Sequence, residues 1–241
     1  MKTLHKKALS AAAVALLSGM ACSAAFAADT PTDPEDAGNP IAANVTLVSD
    51  YRYRGISQSN FKPAIQGGFD YAHDSGFYIG NWNSSISWIS DAASAGGSKN
   101  VSAPIEMDFY AGFKKELIGE GFASDLGVLQ YYYPTSGLPS SATNPNTTEI
   151  YAAQNFTFGP VTGFVKFSYA VTNTFGYSNS SGSYYPDLTA NYDTGVWGLA
   201  VNAHVGYQKI AGQNVVAGVP TASYTDWKLG LTKDFGGGLS L

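Results

Sequence analysis

The chain has one cysteine, three histidines and, beyond its N-terminus, no apolar run near the roughly 20 residues a membrane helix requires. Each scarcity removes a class of function. The cysteine, Cys22, lies in the stretch "MKTLHKKALSAAAVALLSGMACSAAFA", so a chain shortened after Ala27 has neither a disulfide nor a thiol. Of the histidines, only His73 and His204 lie beyond that point. They are about 130 residues apart, and with no thiolate to join them they offer no metal site of the usual spacing. Charge is also scarce, at 13% of residues, and 18 acids face 13 bases. Nucleic acid rewards clustered basic charge, so it is not an expected partner.

The N-terminal stretch has Lys2, Lys6 and Lys7, then a short apolar run, then Ala25-Phe26-Ala27. A positive start, an apolar middle and an A-x-A end are the marks of a secretory signal peptide, here 1–27. Cys22 is not read as a lipid-anchored residue, because Gly19 stands where a lipobox has leucine. Cleavage removes three lysines and no acid, so 13 bases become 10 against 18 acids and the net charge moves from −5 to −8. Residues 28–43, "ADTPTDPEDAGNPIAA", are rich in proline and acid and read as a disordered leader.

What the chain has in quantity is aromatic residues (14%, with 16 tyrosines) and glycine, 27 in all. That mixture fits an all-β protein with many turns. Ten segments of about ten residues read as strands: 44–55, 64–73, 76–87, 104–117, 122–134, 148–159, 161–172, 183–195, 197–210 and 223–236. An eleventh begins at "LSL", 239–241. Their connections alternate in length. "ISQSNFKP", "SWISDAASAGGSKNVSA", "TSGLPSSATNPNTT", "NTFGYSNSSG" and "AGQNVVAGVPTAS" are long, while "HDSG", "LIGEG", "GPV", "TGV" and "GGG" are short. An antiparallel meander whose two ends differ in this way is the pattern of an up-and-down transmembrane β-barrel in a bacterial outer membrane.

Side-chain alternation agrees. In "WGLAVNAHVGYQ" one face carries Trp197, Leu199, Val201, Ala203, Val205 and Tyr207, and the other Asn202, His204 and Gln208 among small residues. "PIEMDFYAGFKK" sets Ile105, Met107, Phe109 and Phe113 against Glu106, Asp108, Tyr110 and Lys114. The segments 76–87 and 148–159 are ambiguous by the same test. Hydrocarbon offers no partner for backbone N–H and C=O, so lipid tolerates only a sheet without edges. Single-chain barrels have even strand counts, which leads to the expectation of about 12 strands and a final hairpin beyond Leu241.

The stretches "NVTLVSDYRYRGISQSN" and "PAIQGGFDYAHDSGFYIGNW", with "YTDWKLGLTKDFGG" near the end, resemble a family of proteobacterial exported proteins, the Gcw-type or TorF-family porins. The resemblance implies an outer-membrane barrel with a channel role. It implies no substrate and no catalytic residues.

Catalysis has little to stand on. There is no G-x-S-x-G elbow, no phosphate-binding glycine loop that opens a helix and no EF-hand spacing. His204 falls on the polar face, where a lining role is the plainer reading than a catalytic one. No cofactor and no metal is expected. The remaining constellation is the charge placed inward by parity: Asp50, Arg52, Arg54, Asp70, Glu106, Asp108, Lys114, Asp125, Lys166, Asp187, Asp193, Asp226 and Lys228, with His204 beside them. Acids outnumber bases eight to five, which suggests a mild cation preference. Arg52 and Arg54 facing Asp50, Asp70, Glu106 or Asp108 would make the constriction, with Tyr51 and Tyr53 turned toward lipid. The expected function is passive diffusion of small solutes or ions through a charged, water-filled lumen. Opposite charges that instead pair across strands and fill the interior would make a non-channel barrel with a structural or surface-interaction role, and an outer-membrane enzyme is the third reading.

Overall fold

The computed structural model describes residues 40–98, 100–213 and 221–241. The expected signal peptide and residues 28–39 of the expected leader lie outside the described residues. In chain order the elements are β1 (Ile41–Val48), the two-residue pieces β2 (Arg52–Tyr53) and β3 (Ile56–Ser57), β4 (Ala64–Ala72), β5 (Phe77–Ser85), α1 (Trp88–Ala95) and β6 (Ile105–Gly119). There follow β7 (Phe122–Tyr132), β8 (Thr147–Phe158), β9 (Val161–Ala170), β10 (Tyr184–Asp193), β11 (Leu199–Gln208), β12 (Tyr224–Gly236) and β13 (Leu239–Ser240). β1 and β4 to β13 form one sheet of 11 strands, each antiparallel to its neighbours and ordered as in the chain. β2 and β3 pair only with each other. No helix among the described residues is long and apolar enough to cross a membrane, which says nothing of strands.

The strands form because their sequences alternate, and the sheet sorts the two rows to opposite faces. In β12, Trp227, Leu229 and Leu231 point outward with 76%, 70% and 71% of their surface exposed, while Asp226, just before them on the other row, is buried. In β11, Val205 and Tyr207 face out while Asn202, His204 and Gln208 are buried. β8, ambiguous in sequence, buries Thr147, Glu149, Tyr151 and Asn155 and exposes Ile150. Polarity is therefore inverted relative to a water-soluble sheet: apolar rows outside, carboxylates and phenols inside.

The first expected strand requires correction. The sequence pattern places it over 44–55, but the chain enters β1 at Ile41 and leaves the sheet after Val48. Period-2 alternation continues through "SDYRYRG" without a ladder to support it, so parity assigns the wrong faces there. Residues 49–63 turn onto the inner face. Arg54 and Gly55 are the central residues of a tight hairpin that joins β2 to β3, with φ of 46° and 78°. Two positive φ values in a two-residue loop are what the twist of a hairpin favours. Tyr51, expected against lipid, is fully buried, and Tyr53 packs edge to face on Tyr131 and Phe175 inside. The connection 87–103, read as a plain loop, contains α1, whose Ile89 is buried against this inner segment's surroundings.

The inner segment also shows that the sheet curls. Tyr51 lies 5.5 Å, ring to ring, from Trp82 of β5, and a Cβ on Gly55 would lie 2.6 Å from Cβ of Asp226 on β12. In a flat sheet β5 and β12 stand seven spacings apart, about 34 Å, whereas the four residues from Tyr51 to Gly55 span at most about 14 Å. Only a sheet wrapped around the segment brings both walls within reach.

Glycines make room on that concave face. Tyr78 lies opposite Gly112, Tyr110 opposite Gly80 and Tyr151 opposite Gly127 on neighbouring strands. Each phenol ring lies across the bare Cα, where any Cβ would overlap it. Gly127→Ala is expected to cost about 1–3 kcal/mol of stability through this overpacking. Tyr151→Ala in the same chain should recover part of the loss, because the two positions share one space. Urea unfolding of the three variants followed by tryptophan fluorescence checks this; additive losses would show that ring and glycine are not coupled.

Candidate functional site on the inner face

Carboxylates buried on the inner face each need donors, because an ionised group away from water is costly unless hydrogen-bonded. Tyrosines supply them. Tyr110 donates to Asp70 at 2.5 Å, Tyr78 to Asp125 at 2.7 Å and Tyr185 to Asp226 at 2.8 Å. Glu106 accepts from Tyr51 at 2.5 Å and from Tyr133 at 2.7 Å. The phenols also meet one another, Tyr53 with Tyr131 and Tyr78 with Tyr151. In the first three pairs phenol and carboxylate stand two strands apart, β6 with β4, β5 with β7 and β10 with β12, so the abundance of tyrosine in the sequence has a place in the structure.

Arg54 is the centre of the set. Its Nη1 and Nη2 donate to the two oxygens of Glu149 at 3.0 and 2.7 Å, and Nη1 also donates to Oε1 of Gln208 at 2.6 Å. The guanidinium stacks over Tyr185 at 4.2 Å and Tyr53 at 4.8 Å. A bidentate pair of this kind fixes direction as well as distance. Burial opposes the positive charge, and the adjacent Glu149 carboxylate more than offsets this, so the Arg54 pKa is raised well above its ordinary value. Three strands and one inner hairpin are thereby tied at a single residue.

A second cluster surrounds His204. Its Nδ1 is 2.9 Å from Asp187 and 3.1 Å from the Thr189 hydroxyl. Its Nε2 is 3.0 Å from both Asp226 and the Tyr185 hydroxyl. The imidazole is held between two carboxylates, and the hydroxyls beside it, of Thr189 and Tyr185, themselves donate to Asp187 at 3.0 Å and to Asp226 at 2.8 Å. A family model described as "Bacterial protein of unknown function (Gcw_chp)" matches residues 32–241. The chain belongs to the Gcw_chp family. A search of curated proteins finds no match.

Within this Gcw_chp chain the residues singled out in sequence fall into three groups. Arg54, Asp70, Glu106, Asp108, Asp125, His204 and Asp226 are buried on the inner face. Lys114 stands opposite Asp125 in the ladder, Lys166 opposite Asp187 and over the Tyr151 ring at 4.3 Å, and Lys228 opposite His204. Asp50, Arg52 and Asp193 depart from the expectation. Asp50 and Arg52 pair with each other at 2.8 Å on the inner segment, with Arg52 half exposed; Asp50 precedes β2 and Arg52 opens it, so neither is part of the large sheet. Asp193 is exposed at the end of β10, where it accepts from the Gly195 N–H in a short turn. Parity is right for Asp193, but the strand ends there.

The expected partners of the arginines include Asp50, which Arg52 meets, and are corrected for Arg54. Arg54 meets Glu149 and Gln208 rather than Asp50, Asp70, Glu106 or Asp108. Sequence parity misses Glu149 because the outer row of β8 mixes Thr148 and Gln154 with Ile150 and Phe156, which blurs the alternation. "TEIYA" nevertheless carries the signal, with Glu149 and Tyr151 on one row and Ile150 and Ala152 on the other. Oδ1 of Asp108 is buried without a hydrogen-bond partner among the described residues. Among those residues, no three His, Cys, Asp or Glu side chains are placed to hold a metal ion.

Proposed function

We propose that this Gcw_chp protein is an exported outer-membrane β-barrel of the porin-like kind, a narrow channel for small solutes or ions that the segment 49–63 closes from within. The inversion of polarity carries this reading. Long strands on every side of the sheet present an outward apolar row and an inward row of acids, phenols and bases, as a wall between lipid and a polar interior requires. The alternation of long and short connections and the signal-like N-terminus support the same location. Closure of the curled sheet, the channel role and kinship with TorF-family porins all belong to this proposal. Glu149 takes the place of Asp193 among the inward charges, so acids remain at eight against five bases and the lumen favours cations.

One observation favours a second reading, a barrel whose interior is permanently filled. Most of the inward carboxylates are buried and already hydrogen-bonded, Oδ1 of Asp108 excepted, which leaves little room for a water column. Planar-bilayer recordings separate the two. The parent protein is expected to open rarely, and Arg54→Ala, which releases the hairpin from Glu149 and Gln208, should raise the frequency of conductance steps and keep them cation-selective. Absence of steps from both proteins would sink the channel reading and leave the filled barrel.

A further inference from the structure

The long connections that converge over the inner segment leave a cavity of about 490 Å³. Tyr53 of β2, Trp88 of α1, Leu138 between β7 and β8, Phe175 between β9 and β10, and Tyr224 of β12 face it. Its rings are braced from behind. Trp88 packs edge to face on Tyr133 at 5.5 Å, and Phe175 does the same on Tyr131 at 5.1 Å. The space opens outward, and small residues border it where larger ones would fill it: Ala92 and Ala142, both exposed, with Ala93, Gly176 and Ala222. A segment that served only to stopper a barrel has no reason to hold five such positions around one space.

The chemistry of the walls selects the occupant. The volume is in the range of small-molecule sites, about 300–1,000 Å³, and the lining is mostly carbon with a few polar groups, as in such sites generally. Of the polar lining, Arg54 and Gln208 engage each other, Gln58 donates to the Ile56 carbonyl and Thr143 bonds Ser178, and Arg54 is the one charged residue. Glu149 neutralises the guanidinium in a bidentate pair, so an anion would have to displace a carboxylate and a cation would find none free. We infer that the cavity is a binding site for an uncharged small organic molecule with an aromatic body, held by stacking and apolar contact.

This site stands apart from the channel reading, because binding does not require conduction. The test is equilibrium dialysis of naphthalenemethanol, an uncharged probe, against the full chain in lipid nanodiscs, with empty nanodiscs to measure partition into lipid. Saturable one-to-one binding above the empty discs is expected, with naphthoate weaker by about tenfold or more, a margin that one unfavourable charged contact supplies. Ala92→Phe and Ala142→Phe each fill the space from a different wall, and heat-dependent gel mobility reports whether each has folded. Loss of binding in a folded filling variant supports the site. Uptake no greater than in empty discs, or parent-like binding by both folded variants, overturns it, whatever bilayer recordings give.

Discussion

Glu149→Ala is expected to lower the unfolding free energy by about 3–5 kcal/mol, the usual cost of stranding one member of a buried ion pair. The variant leaves Arg54 inside with Oε1 of Gln208, at 2.6 Å, as its remaining side-chain acceptor among the described residues. The tyrosine faces at 4.2 and 4.8 Å stabilise a cation only partly. Loss of the carboxylate also removes the acceptor of Tyr131, whose hydroxyl reaches it at 3.3 Å. Replacing both partners, as in Arg54→Met with Glu149→Leu, should restore most of the stability, because neither charge is then left without a counter-charge. Urea unfolding in detergent micelles followed by tryptophan fluorescence distinguishes the three proteins. A cost under about 1 kcal/mol for Glu149→Ala would place the pair in solvent-like surroundings, where surface salt bridges have that value. The inner hairpin would then need another anchor.

The strand plan was legible in the sequence because two independent patterns, alternation along each segment and alternation of connection length, describe the same object. Nine of the ten long strands fall within a few residues of their expected places, since a strand that separates two environments must alternate or fail. "VSDYRYRG" breaks that relation. Its charges and aromatics alternate as a strand's would, but Arg54-Gly55 turns the chain back, and no local feature of 49–53 announces that the ladder has ended. The site was legible residue by residue and not as pairs. Asp70, Glu106, Asp125 and Asp226 carry their inward position in their parity, whereas the phenols that satisfy them come from other strands and from the inner segment. Tyr51 and Glu106 are 55 residues apart, and only curvature brings them together. Glu149 shows the remaining difficulty, that a buried charge on a strand with polar residues in both rows leaves too faint a pattern to read.

Leu229→Arg is expected to separate the membrane reading from any water-soluble one. Leu229 lies near the middle of β12 with 70% of its surface exposed, between Trp227 and Leu231, which are as bare. In water an arginine at such a position costs almost nothing, since surface substitutions generally stay within about 0.5 kcal/mol. In a bilayer the same side chain faces hydrocarbon, and at the midplane of a barrel an outward arginine costs about 2–4 kcal/mol. The next residue is the control. Gly230 is on the inner row, and a Cβ placed there meets nothing within 4 Å, so Gly230→Ser should fall within about 0.5 kcal/mol in either solvent. Urea unfolding from phospholipid vesicles measures both. A large loss at 229 beside none at 230 is the signature of a strand with lipid on one side only, because the two positions share sequence, strand and depth and differ in the face they present. Equal, small effects at both would mean that the outer apolar rows meet water, and the outer-membrane proposal would fall with them.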